Sequence, residues 1–249
     1  MVTATELRRL AQDNLERASK ALTGLMTEKL AKAMLADLPG YARLKLGSAV
    51  KVDAVVLFVD MRSSTKRAMR IGPEKTFLTM HALLPVLARL IEANGGYIVG
   101  YRGDGLFGVF GINSQGKNPP DMDVEELLRQ AVTCGMQMVE AVERVVSPAL
   151  EENDVPGGVK VGVGIDMGEI IVTRIGLNIG FEVTAYGDAI NNAAKLCARA
   201  SNEVYLSETA DEAYPSGPGG AAWTSAVFDK DEIEQVGVKF NYPSLMLED

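Results

Sequence analysis

The run Ala54-Val-Val-Leu-Phe-Val-Asp60 constrains this chain more than any other segment. Its residues are β-branched or aromatic, continuously apolar and few, which predicts a strand buried on both faces rather than a half-exposed one. The strand ends in a carboxylate. A charged group at the tip of an apolar strand is costly unless it is solvated, paired or metal-bound, so Asp60 is a candidate site residue from the outset. The sequence that follows, Met61-Arg-Ser-Ser-Thr65, turns into helix, with Ser63, Ser64 and Thr65 as candidate caps.

The rest of the chain supplies the partners of that strand. A long apolar-periodic helix is predicted over 73–93, and Gly95-Gly96 ends it. Tyr97 to Tyr101 and Leu106 to Phe110 flank Arg102-Gly-Asp-Gly105 and read as a hairpin with a tight turn, which places Asp104 beside the end of the first strand. A polar, Pro-bearing loop at 112–121 precedes a helix over 124–146. Residues 159–165 and 169–174 read as a second pair of strands around Met167-Gly168, and 188–200 as a helix opened by an Asn pair. Short strands near 204–206, 227 and 238 complete the chain. The order is that of an α+β sandwich, ferredoxin-like or palm-like, with helices on one face of a mainly antiparallel sheet. Residues 1–48 read as a helical extension for packing or dimerisation, with Leu7, Leu10, Leu15, Leu22 and Met26 at helical spacing and a weak capping box at Thr5. Residues 49–249 form the main domain.

Composition narrows the chemistry. The chain has 249 residues and a formal charge of −8, which argues against coating nucleic acid or an anionic membrane. It holds one histidine, His81, inside an apolar helical pattern where a packing role is expected. Ser-His and Cys-His nucleophile pairs are therefore excluded. Cys134 and Cys197 lie in helical segments without paired spacing, so no disulfide scaffold or zinc cluster is expected. No stretch reaches the roughly 18 apolar residues of a membrane span, and the N-terminus is unlike a secretory leader. A cytoplasmic location is expected. Catalysis, if present, rests on carboxylates, basic side chains or bound metal.

Three blocks carry a resemblance: Phe58-Val-Asp60-Met-Arg-Ser-Ser-Thr65, Gly95-Gly…Arg102-Gly-Asp104, and Gly187-Asp-Ala-Ile-Asn191-Asn-Ala-Ala-Lys195. In this order and near this spacing they resemble the signature blocks of class III adenylate/guanylate cyclase catalytic domains. The resemblance covers about residues 50–245. It implies closure of a ribonucleoside triphosphate to a 3′,5′-cyclic monophosphate with two divalent ions, Mg²⁺ or Mn²⁺, held by Asp60, Asp104 and the backbone of Met61. It implies a triphosphate cradle from the backbone of Arg62, Ser63, Ser64 and Thr65, with Lys239 in a loose match to a second phosphate lysine. Asn191 takes the ribose. Lys195 stands where the family usually has arginine, which loses the planar fork, and Arg199 lies one turn further on as a substitute. A head-to-tail homodimer with shared sites is implied as well.

The base-reading positions depart most from the family. Gly100 stands where adenylate cyclases place lysine and guanylate cyclases glutamate; Thr184 keeps the second position. Tyr101, Arg102 and Tyr186 stand beside the gap, and a guanidinium can donate to carbonyl oxygens. The chain is similar in this to the pyrimidine cyclases of Pycsar anti-phage defence, whose cyclic UMP or cyclic CMP alerts a downstream effector. The expected order of substrates is UTP, CTP, then ATP. An adenylate cyclase, a non-catalytic nucleotide-binding module and another metal-dependent nucleotidyl transferase stand as alternatives.

Overall fold

The computed structural model describes residues 2–22, 47, 49–113, 116–177, 180–214, 223–228, 235–240 and 247. Leu22 is described through its backbone, whereas Met26 and the 215–220 loop lie outside the described residues. The elements run α1 (Ala4–Leu22), β1 (Ala49–Met61), α2 (Ser64–Ala93), β2 (Tyr97–Arg102), β3 (Gly105–Phe110), α3 (Val124–Ala141), a π-helical turn (Val142–Val146), α4 (Ser147–Glu151), β4 (Val161–Leu177), β5 (Gly180–Tyr186), α5 (Asp188–Arg199), β6 (Glu203–Leu206), α6 (Glu208–Ala213), β7 (Trp223–Phe228) and β8 (Gln235–Phe240).

The sheet order is β2-β3-β1-β4-β6-β8-β7, with β5 paired to the far half of β4. Among the described strands, only β4 and β6 pair in parallel. β1 is central, as its composition requires: it pairs β3 on one side and the first thirteen residues of β4 on the other. The two strands expected at 159–165 and 169–174 are one continuous strand. Met167 and Gly168 stay in register opposite Val55 and Ala54, so pairing to β1 carries the chain straight through the expected turn.

Period-two alternation along β1 divides the interior. Val55, Leu57, Val59 and Met61 join the large core with α1, α2 and α3, whereas Val52, Ala54 and Val56 join a smaller core with Phe107, Val109, Ile170, Val172 and the α5 residues Ala189, Ile190 and Ala193. Helices therefore cover both faces, not one. Asp60 shares parity with Val56 and Phe58 and so belongs to the α5 face. On that face the sheet also curls, bringing edge strand β2 into contact with β5.

α1 is built into the large core in cis: Leu7, Ala11 and Leu15 are fully buried, and Leu10 is half-buried. Its capping box is Thr3–Glu6, two residues before the expected one, with reciprocal bonds of 3.1 Å. α2 continues through a kink at Gly72 (φ 79). Among the described helices it alone has the length and composition to cross a membrane, yet Leu83, Val86, Leu87, Leu90 and Ile91 line the protein core. His81 packs on α2 against Phe77, ring centroids 4.2 Å apart, in the packing role expected of it.

α5 sits unusually close to β4. A Cβ placed on Gly164 would stand 2.1 Å from the Ala193 carbonyl oxygen and 2.4 Å from the Cys197 nitrogen, both backbone atoms that cannot swing away. Gly164→Ala is expected to cost ~1–3 kcal/mol or more by forcing helix and strand apart, read as a lower midpoint in urea unfolding. Burial lowers the His81 pKa. The unfolded chain then takes up that proton first, so this contribution is full above the ordinary imidazole value of ~6.5 and is lost as pH falls below it. His81→Phe is expected to flatten the loss of stability between about pH 7 and pH 5, followed by thermal unfolding at each pH.

Candidate active site

Asp60 and Asp104 are brought together by the β1–β3 pairing. Asp60 lies opposite Gly105, the residue after Asp104. That position admits no side chain: a Cβ on Gly105 would stand 2.4 Å from the Val59 carbonyl oxygen and 2.7 Å from Asp60 Oδ1. Burial and then the neighbouring Asp104 charge push the Asp60 carboxyl up to about 6, with Arg62 pulling the other way. Asp104 Oδ2 is buried and has no hydrogen-bond partner. Two crowded carboxylates, one with an orphaned buried oxygen, fit a hard cation. Among the described residues no third acidic, histidine or cysteine side chain joins them. A metal there would take its remaining ligands from backbone, solvent or a bound phosphate, as Mg²⁺ commonly does.

Beyond Asp60 the chain enters α2. Ser63 is the residue before the helix and adopts the left-handed conformation (φ 56), and no side chain caps the helix. The expected serine and threonine caps are thus absent. The first-turn amides of Ser64, Thr65 and Lys66 have no carbonyl ahead of them within the helix, which leaves donors for an anion. The Arg62 amide is engaged elsewhere, donating to the Lys160 carbonyl at 2.8 Å. A groove of about 460 Å³ opens here, lined by Arg62, Ser63, Lys66, Arg67, Arg70 and Lys160 among others. In an acidic chain this local concentration of cations favours a polyanion.

The Arg62 side chain performs a task that the sequence did not reveal. Nη2 pairs with Asp60 Oδ2 at 2.8 Å, and Nη1 donates to the Ala198 carbonyl at 2.8 Å. The Asp60 carboxylate is thereby tied to the C-terminal end of α5. Asn191 lies in the first turn of that helix, seven residues earlier and so roughly 10 Å along its axis. Asn191 and Lys195 are both exposed. Asn192, the neighbour of Asn191, donates to Asp166 Oδ2 at 3.0 Å. Asp166 is buried and also accepts from Ser207 Oγ and from the Met167 amide, so it pins the start of α5 to β4 and to the turn before α6. An acid closing the apolar run 161–165 was the available signal for it, the same signal that marks Asp60.

The positions expected to read the base converge across the curl of the sheet. Arg102 Nη2 donates to Thr184 Oγ1 at 2.6 Å, Nη1 pairs with Glu182, and the guanidinium carbon lies 5.3 Å from the centroid of the Phe107 ring. Phe107 in turn stacks on Phe58, centroids 5.0 Å apart. Tyr101 and Tyr186 are about half-exposed. Lys239 lies on β8 opposite Tyr205 and Thr224, and its side chain is outside the described atoms.

Comparison with known proteins identifies the family. Residues 48–234 match the family model of the adenylate and guanylate cyclase catalytic domain. The chain belongs to this family. It is 28% identical over 198 residues to a uridylate cyclase of Xanthomonas perforans, covering 76% of this chain and 79% of that one. It is 28% identical over 163 residues to a uridylate cyclase of Rhodovulum sp. (strain MB263), covering 64% of this chain and 62% of that one, less than two thirds of that relative's length. Among solved structures, the adenylyl cyclase CyaB from P. aeruginosa superposes with a TM-score of 0.65 at 16% identity, covering 80% of this chain and 97% of that one. The cyclase domain thus accounts for the α+β fold expected from the sequence.

A cation fitting the carboxylate pair stabilises the fold by linkage. Mn²⁺ at millimolar concentration is expected to raise the melting temperature of the protein by a few degrees. Asp104→Asn is expected to abolish that rise, measured by differential scanning fluorimetry without nucleotide.

Proposed function

We propose that this cyclase domain closes UTP, ahead of CTP, to the 3′,5′-cyclic monophosphate and pyrophosphate, in the cytoplasm and as a head-to-tail homodimer. The observation that carries the choice of base is Arg102. Its Nη1 lies 3.6 Å from where a Cβ on Gly100 would stand, so a guanidinium fills the space that the family gives to a base-reading side chain. A guanidinium only donates hydrogen bonds, which suits the carbonyl oxygens of a pyrimidine. Two relatives named uridylate cyclases support the same reading.

Asp60 and Asp104 would hold Mg²⁺ or Mn²⁺, with the Met61 carbonyl as a further donor. Such ions supply charge neutralisation and favour the ionised form of a nearby hydroxyl. The chain's own residues do the positioning. The free amides at the start of α2 and the cations of the adjoining groove hold the triphosphate tail, and Lys239 serves as a further contact. Asn191 orients the ribose so that its 3′-oxygen faces the α-phosphorus in line. The bond from that oxygen to phosphorus forms, the bond to the bridging oxygen of pyrophosphate breaks, and the hydroxyl proton passes to solvent. Lys195 stabilises charge on the α-phosphate as this happens.

Placement supports the dimer. Asn191 is exposed and lies roughly 10 Å along α5 from the helix end that Arg62 ties to Asp60. Exposed apolar side chains also occur on the face of the sheet away from α5, Ile171 and Ile175 on β4 and Tyr186 opposite Ile171 on β5, a surface fit for a second copy. An anti-phage role, with the cyclic product alerting a separate effector, is the biological reading that pyrimidine specificity would carry.

The test is to incubate the purified protein with ATP, GTP, CTP and UTP and either Mg²⁺ or Mn²⁺, and to identify products by mass spectrometry. Cyclic UMP is expected to dominate and to vanish in the Asp60→Ala, Asp104→Ala double variant. Asn191→Ala is expected to lower kcat by ~10²-fold. Mixing Asp104→Ala with Asn191→Ala protein is expected to restore activity, because one shared site in the mixed dimer is intact. Cyclic AMP alone would overturn the choice of base, and no product from any nucleotide would favour a binding module. Failure of the mixture to recover would overturn the shared-site dimer.

A further inference from the structure

We infer that Glu182 is a positioning residue for base recognition: it holds Arg102 so that the guanidinium's remaining donors face a pyrimidine carbonyl. The inference rests on the cyclase reading above and names the device behind its selectivity. Gly100 and Arg102 lie on one face of β2, and Glu182 and Thr184 on one face of β5, by the alternation of each strand. Where the two strands meet, Arg102 is anchored three ways. Nη1 pairs with Glu182 and also reaches the Tyr101 carbonyl at 3.3 Å, Nη2 donates to Thr184 Oγ1, and the Phe107 ring lies beneath the guanidinium.

These contacts consume the Nη1 donors and one of the two on Nη2. Nε–H and the second Nη2–H have no partner among the described residues, and they form one edge of a planar group. An edge of two donors donates to a carbonyl oxygen and repels an exocyclic amino group. The same packing restricts size. A Cβ at position 100 would already stand 3.3 Å from the Phe107 ring, so the floor of the pocket is occupied by Phe107 and Arg102 together. Arginine is otherwise a loose reader, because its long side chain loses rotamer entropy on being fixed. The Glu182 pair is half-exposed, so its worth lies in direction rather than in strength.

The experiment compares wild type with Glu182→Gln, Glu182→Asp and Arg102→Lys, each confirmed folded by its thermal unfolding. UTP and ATP compete in one reaction, and kcat and KM are measured separately. UTP and ATP binding by calorimetry runs alongside. Glu182→Gln is expected to raise KM for UTP about tenfold with kcat nearly unchanged, and to lower the preference for UTP over ATP by a similar factor. Glu182→Asp is expected to recover most of that preference, whereas Arg102→Lys is expected to lose it. A Glu182→Gln protein with unchanged KM and preference would overturn the inference while leaving the cyclase reading intact. A wild type that forms no cyclic product would overturn the cyclase reading. In that case a binding preference for UTP that Glu182→Gln removes would still uphold the inference, and equal binding of UTP and ATP would sink it.

Discussion

Two carboxylates confined at one end of a buried strand set the terms for the rest of this molecule. Asp60 is held by thirteen residues of pairing to β4 and six to β3, so it cannot retreat to solvent. Asp104 sits in a turn whose next residue packs against the Asp60 backbone with no room for a side chain. The fold buries Asp60 and sets it against a like charge, and the raised Asp60 pKa expresses first the burial and then the Asp104 charge. Arg62 offsets part of it by pairing with Asp60, but the orphaned oxygen of Asp104 remains. Such an arrangement is sustained where a cation is to be bound, because the repulsion that destabilises the empty site becomes attraction once a positive charge is present.

Arg62 gives that charge pair structural reach. One guanidinium bonds both the Asp60 carboxylate and the last turn of α5, the helix that bears Asn191 and Lys195. The first turn of α5 is fixed independently through Asn192, Asp166 and Ser207. Between the two anchors α5 lies against glycine in β4, with backbone meeting backbone. The helix therefore has little freedom to rotate or slide, which suits side chains that must meet a substrate held largely by another subunit on the proposed reading.

How far the sequence revealed this depends on whether a feature is local. β1 was legible because its buried, β-branched run and terminal carboxylate fall within seven residues. The β2–β3 hairpin was legible from Arg102-Gly-Asp-Gly105 for the same reason. β4 read as two strands because Met167-Gly168 has the composition of a turn, and only the partner strand β1 overrides it. The placement of α5 on the second face was hidden because periodicity identifies a helix's apolar stripe and not the surface that receives it. Gly164 carried the signal of close approach, though a lone glycine in a strand pattern has several meanings. Asp166 ends an apolar run just as Asp60 does, yet the sequence does not mark it as a site residue. The difference is that Asp60 had a hairpin carboxylate at matching distance, and the partners of Asp166 lie 26 and 41 residues away.

The departure at position 100 shows why a site is better read by face than by column. Taken alone, glycine in place of a base-reading side chain suggests a pocket that has lost its function. Strand alternation says otherwise, since residue 102 points to the same side as residue 100, and a long side chain there can fold back over the vacated space. Arginine has the length to do so, and Phe107 beneath it and Thr184 across the curl supply its ring and acceptor. On the proposed reading, the bare backbone at 100 leaves room for the guanidinium over Phe107 rather than marking a loss. A lysine at 100 and an arginine at 102 would compete for one volume and place two positive charges side by side.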